Sequence, residues 1–274
     1  MTDSGVPLSG VPGSSFVEHL QATAPHLLPS ARVSHTTPGG ESLAAPHGTT
    51  IVAAVFDGGV AIAGDRRATL GHLIASHDIE KVFITDSASA VGIAGTAGIA
   101  VELVKLFGVE LEHYEKIEGA RLSTEGKANR LATMLRGHLP LAMQGLAVLP
   151  MLVAYDPSAG KGRIYSYDVT GGCYEERDHH SVGSGSLFSR GSLKKLWRRG
   201  MTADDAVRVL VEALFDAADD DSATGGPDVS RRIWPTCAVV TADDAEIVSD
   251  EHLERVVESV VQARRSRWDS VGAR

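Results

Sequence analysis

The chain has 274 residues, 43% of them hydrophobic, enough apolar material for one sizeable core with an appendage. A formal net charge of -9, with the pairs Arg198-Arg199, Arg231-Arg232 and Arg264-Arg265 scattered and no basic stripe, argues against a nucleic-acid partner. Two distant cysteines, Cys173 and Cys237, exclude a disulfide framework and a CxxC metal site and fit a reducing cytoplasm.

Residues 1–48 form a Ser/Gly/His-rich stretch punctuated by Pro7, Pro12, Pro25, Pro29, Pro38 and Pro46, with one helical candidate, Ser14 to Thr23. It lacks the basic flank and apolar run of a secretion signal and reads as an irregular prosegment, although a plain disordered tail has the same composition. At Thr49 the pattern switches to strand, running to Phe56, then an Asp57-Gly58-Gly59 turn and a second strand to Asp65. Lys81 to Thr85 and Ala90 to Ala94 make another pair around Asp86-Ser87. The turn Gly95-Thr96-Ala97-Gly98 then leads into a helix to about Ile117.

A long helical pattern covers Thr124 to Gln144, perturbed at Pro140. The most apolar window, Leu139 to Tyr155, contains Pro140, Gln144, Gly145 and Pro150 and reads as a buried helix-to-strand passage, not a membrane span. Strands follow at Met151 to Asp156, Gly162 to Asp168 and Gly172 to Glu176, after which Val182 to Ser186 opens a helix to Trp197. Thr202 with Asp205 has the form of a capping box for a helix to Asp219. Pro235 to Thr241 and Glu246 to Val248 read as closing strands, and Asp250 to Arg264 as a last helix. This order predicts an α/β fold of two antiparallel sheets packed face to face with helices outside them, an αββα sandwich.

The Gly48-Thr49 junction carries the chemistry. A backbone cut there exposes a threonine whose hydroxyl and α-amine, with a pKa of about 8, put nucleophile and base in one residue. Glycine lets the backbone turn so that the hydroxyl reaches the carbonyl behind it; attack gives an ester by N-to-O acyl shift, whose hydrolysis frees the amine. Taken alone, a Gly-Thr pair is an ordinary loop entering a strand. Likewise Lys81 alone reads as a solvated charge, Asp65 as a turn residue, Ser184 as a helix N-cap and Asp221 as part of an acidic helix end.

In company they are more specific. Thr49-Thr50-Ile51 after Gly48, Gly64-Asp65-Arg66-Arg67-Ala68-Thr69, Lys81, Gly95-Thr96-Ala97-Gly98, Gly183-Ser184-Gly185 and Asp221-Ser222-Ala223-Thr224-Gly225-Gly226 resemble the motifs of a catalytic 20S proteasome β subunit in order and separation. The match runs from Thr49 to Arg264, and the long leader resembles the actinobacterial type. The resemblance implies the N-terminal-nucleophile hydrolase fold, removal of residues 1–48 and a catalytic domain over 49–274. It implies Thr49 as nucleophile, Lys81 lowering nearby pKa values, and Asp65 holding that lysine by a charge-assisted hydrogen bond. Gly95 N–H is the implied oxyanion donor, while Ser184, Asp221 and Thr224 orient the amine and a water. Thr224 departs from the family's usual serine but keeps the hydroxyl.

By the same resemblance Ala68, Ile79, Phe83, Ile93, Ala97 and Val101 line the primary specificity pocket, which selects hydrophobic side chains. Thr69 and Ala97 pair their main chains with an extended substrate. The implied assembly is four stacked seven-membered rings of α and β subunits, fed by a ring-shaped ATPase with proteins tagged by a small modifier. The prosegment is expected to assist assembly and prevent premature proteolysis. No cofactor or metal is expected, since His179-His180 lacks an HExxH pattern and there is no GxxxxGK[ST] loop. Two other readings stay open: a non-catalytic ring subunit, and another N-terminal-nucleophile amidohydrolase or the two-ring bacterial relative.

Overall fold

The computed structural model describes residues 15–28 and 48–272, with side chains to residue 266. Strands β1 (Thr50–Phe56) and β2 (Gly59–Gly64) form a hairpin whose turn uses Gly58 at φ +90°, a conformation open to glycine. Their near-continuous apolar sequence follows from burial on both faces. Ile51 and Ala53 point to one core layer and Val52, Ala54 and Phe56 to another, the two-residue period of a strand.

Strands β3 (Ala68–Leu70) and β4 (Leu73–Ser76) make a small separate hairpin, and β5 (Val82–Asp86) and β6 (Ser89–Gly95) a larger one. Strands β7 (Val148–Asp156), β8 (Lys161–Tyr167) and β9 (Cys173–Glu176) extend the latter into an antiparallel sheet ordered β5-β6-β7-β8-β9. The other large sheet is ordered β10-β1-β2-β11-β12, with β10 (His179–Gly183), β11 (Thr236–Thr241) and β12 (Ala245–Ile247).

Three apolar layers hold these sheets. Ile51, Ile62, Met151, Val153 and Ile164 fill the space between them. Helices α2 (Ala97–Glu118) and α3 (Thr124–Gly137) cover one outer face through Leu103, Phe107, Leu131 and Leu135. Helices α5 (Ser186–Leu196), α6 (Ala203–Asp220) and α7 (Asp250–Gly272) cover the other through Leu193, Leu210, Leu214 and Val257. The αββα arrangement expected from the order of elements is therefore present.

Differences from the sequence reading are local. The 124–144 helix breaks at His138, and a short α4 (Leu139–Ala142) follows with Pro140 in its first turn. The proline ring lacks an N–H and would meet the carbonyl four residues back, so the longer helix stops before it. Residues expected to open a helix at 182 instead finish β10, which pairs with β1 in the register Thr50↔Gly183, and α5 starts at Ser186. Strand β1 begins at Thr50, one residue after Thr49, and α7 runs on to Gly272. The capping box is formed: the Thr202 hydroxyl accepts from Asp205 N–H and Asp205 accepts from Thr202 N–H.

The leader's helical candidate is α1 (Phe16–Thr23), capped by the Ser15 hydroxyl. It rests on α2 and α3. Glu110, 2% exposed, accepts from Val17 N–H at 2.7 Å and pairs with Arg130 at 2.6 Å, and Arg130 also reaches Ser15. The irregular stretches expected over 1–14 and 29–47 lie outside the described residues.

Candidate active site

The site forms where the start of β1 meets the ends of β2, β6 and β10. Gly48 and Thr49 enter β1, and the Thr49 hydroxyl donates to the Gly48 carbonyl at 2.6 Å. Gly48 is required by space. A Cβ there would lie 2.6 Å from both Cβ and O of Ala223 and 2.7 Å from Oγ1 of Thr69.

Lys81 follows the exposed β3–β4 hairpin yet is 4% exposed, so it is not a solvated charge. Its Nζ donates to Asp65 Oδ1 at 2.7 Å, to the Arg67 carbonyl at 2.6 Å and to the Gly48 carbonyl at 3.2 Å. Three donors meet three acceptors, which fixes the third on the carbonyl behind Thr49. Burial pushes the lysine pKa below its ordinary 10.5, and the Asp65 carboxylate opposes that shift.

Asp65, fully buried, has four donors: Thr50 N–H and Lys81 on Oδ1, Arg67 N–H and Gly225 N–H on Oδ2. An isolated carboxylate could not be buried at tolerable cost, and this one is held by charge-assisted bonds from three segments.

On the other side of Thr49, Ser184 N–H donates to the Thr49 carbonyl at 2.9 Å, and Thr49 N–H points to the Ser184 hydroxyl at 3.4 Å. Ser184 does not cap α5; Gly185 occupies the cap, and the Ser184 hydroxyl donates to Asp221 Oδ2 at 2.6 Å. Asp221 is the C-cap of α6, as an acidic helix end, and it also accepts from Thr224 Oγ1 at 2.6 Å.

A cavity at Thr49 is lined by Gly48, Ala68, Ile79, Ile93, Gly95, Ala97 and Ala100 together with the charged Glu80 and Lys81. Thus Ala68, Ile79, Ile93 and Ala97 are brought together, whereas Phe83 and Val101 lie outside the lining and pack against the outer core of α2 and α3. Thr69 stands beside Gly48. Gly95 has φ +102° at the end of β6, where the chain turns into α2, and this conformation favours glycine. The lining residue Glu80, the Arg67 carbonyl and the Gly225 N–H were not singled out from sequence. Main-chain groups leave no residue-type signal, and Glu80 carries none beyond its charge.

This layered arrangement of two antiparallel sheets between helices is the fold of the N-terminal-nucleophile hydrolases. The profile of the proteasome subunit family matches residues 45–229. A protein named proteasome subunit beta, from Frankia casuarinae, is 58% identical over 251 residues, covering 92% of this chain and 90% of its own length. The chain belongs to the proteasome subunit family and is by homology a β subunit, which implies assembly with other proteasome subunits in rings. Among the described residues no helix is long and apolar enough to cross a membrane.

Proposed function

We propose that this chain is a proteolytic β subunit, made as a precursor, in which Thr49 becomes the nucleophile after autocatalytic cleavage at Gly48-Thr49. The observation that carries the reading is the double engagement of the Gly48 carbonyl oxygen, by the Thr49 hydroxyl at 2.6 Å and the Lys81 ammonium at 3.2 Å. The ammonium polarises that carbonyl and stabilises the oxyanion formed when Thr49 Oγ1 attacks its carbon. Collapse breaks the Gly48–Thr49 C–N bond, leaves an ester to Oγ1, and passes a proton to the departing amine. Water then hydrolyses the ester.

In the mature chain the same oxygen attacks the carbonyl of a substrate peptide, and its proton goes to the free α-amine, which is oriented by Ser184 and Asp221. The new amino terminus leaves with a proton, and water releases the acyl product. The apolar side chains of Ala68, Ile79, Ile93 and Ala97 in that cavity support cleavage after hydrophobic residues, although Glu80 and Lys81 also line it. The α subunits, an ATPase ring, modifier-tagged substrates and a cytoplasmic setting complete the proposal. Residues 1–48 act in assembly.

Thr49→Ala tests it in a co-expressed particle. Intact mass should stay at precursor size, and hydrolysis of hydrophobic-ended fluorogenic peptides should vanish. Normal trimming or turnover in that variant would refute the assigned nucleophile.

A further inference from the structure

We propose that Thr50 is a positioning residue for the same reaction: its buried hydroxyl heads one of two hydrogen-bond arms that converge on Asp221 Oδ2, the other arm being Ser184, which meets the Thr49 nitrogen. The inference rests on the reading of Thr49 as nucleophile. Thr50 is fully buried, and its two halves serve different parts of the site. Its main chain exchanges hydrogen bonds with Asp65, donating to Oδ1 at 2.8 Å and accepting from Asp65 N–H at 3.2 Å. Its side chain faces the opposite group: Oγ1 accepts from Gly185 N–H at 3.0 Å and lies 2.6 Å from Thr224 Oγ1.

Proton counting sets the direction. A carboxylate only accepts, so the single Thr224 hydroxyl proton goes to Asp221 Oδ2 at 2.6 Å, and the Thr50 proton must go to Thr224. Ser184 also has one proton. It takes the 2.6 Å contact to Asp221 over the 3.3 Å contact to the Thr49 carbonyl, which leaves a lone pair facing Thr49 N. The hydroxyls of Thr50, Thr224 and Ser184 are therefore each held in one orientation about the Asp221 carboxylate, and Ser184 meets the nitrogen that becomes the base. Gly185 fits the same design: a Cβ there would lie 2.5 Å from Thr50 Oγ1 and 2.7 Å from Thr224 Oγ1.

Thr50→Val keeps shape and main-chain bonds while removing the hydroxyl, so it separates the two halves. In the assembled particle, with a hydrophobic-ended fluorogenic peptide, kcat should fall about tenfold with KM unchanged, the effect of one buried hydrogen bond of ~1.4 kcal/mol. Thr50→Ser should restore kcat to within about twofold of the parent. Thr224→Val should match Thr50→Val, and the double variant should be no slower than the slower single, because one arm is cut twice.

A Thr50→Val particle at parental kcat, a serine variant as slow as the valine one, or additive losses in the double variant would overturn the proposal. If Thr50→Val does not assemble, Thr50→Ala decides by the same kcat and KM criteria. An inactive Thr49→Ala beside a fully active Thr50→Val refutes positioning alone, whereas an active Thr49→Ala removes both readings.

Discussion

Gly48→Ala puts the cleavage geometry to a quantitative test. The added Cβ would sit 2.6 Å from Cβ and O of Ala223, whereas ordinary contact begins at 3.4 Å, so residue 48 or its neighbour must move by about 0.8 Å. The third contact, Thr69 Oγ1 at 2.7 Å, is a hydroxyl that can rotate, but the Ala223 carbonyl is backbone. The displacement falls on the carbonyl that Thr49 Oγ1 and Lys81 Nζ both address, and misplacing reacting atoms by about 1 Å lowers a rate on the order of 100-fold. A time course of intact mass after induction should show the alanine precursor persisting with a half-life about two orders of magnitude longer than that of the parent. Fully trimmed particles, which no longer contain residue 48, should then turn over peptide normally. Processing of the alanine precursor at the parental rate would show that this crowding does not control the reacting geometry.

Replacing Lys81 with methionine keeps side-chain volume but strips the ammonium from Asp65 and Gly48; peptide turnover should drop by about 10²–10³-fold, with the precursor uncut on a gel. Because burial lowers the Lys81 pKa, cleavage that needs the ammonium should decline on the alkaline side at a pH below 10.5, as rates measured across that range would show. The linkage has the opposite sign for stability. Between the lowered folded pKa and 10.5 the unfolded chain holds the extra proton, so the Lys81 contribution to stability rises with pH while cleavage falls. On the leader side, Glu110→Ala removes the acceptor of Val17 N–H and the partner of Arg130. In a Thr49→Ala background the amides of residues 16–23 should exchange at least about tenfold faster, and unchanged protection would show that α1 is held by something else.

Some of this was readable along the chain. The apolar runs in Thr50–Phe56 and Gly59–Gly64 about a glycine turn, the capping box at Thr202 and the acidic end at Asp221 are local patterns, expressed within a few residues of one another, and the structure keeps them. The β3–β4 hairpin was not anticipated: Leu73 is 72% exposed, so no buried face imposes a period there. Strand β10 was misread because His179 to Gly183 has no two-residue apolar rhythm; its conformation is set by pairing with β1, which lies far away in sequence.

For the proposed site, the amino-acid sequence by itself determined the candidate reagents: a glycine before a threonine, a lysine at the head of an apolar strand, an aspartate closing another. Tertiary structure decided what each reagent does. Lys81 is a directed ammonium only because burial strips its water and leaves three acceptors, and Thr50 meets Thr224 across 174 residues only when β1, β10 and the end of α6 converge. Hydrogen-bond direction and desolvation depend on which groups surround an atom in space, and residue order alone does not contain that.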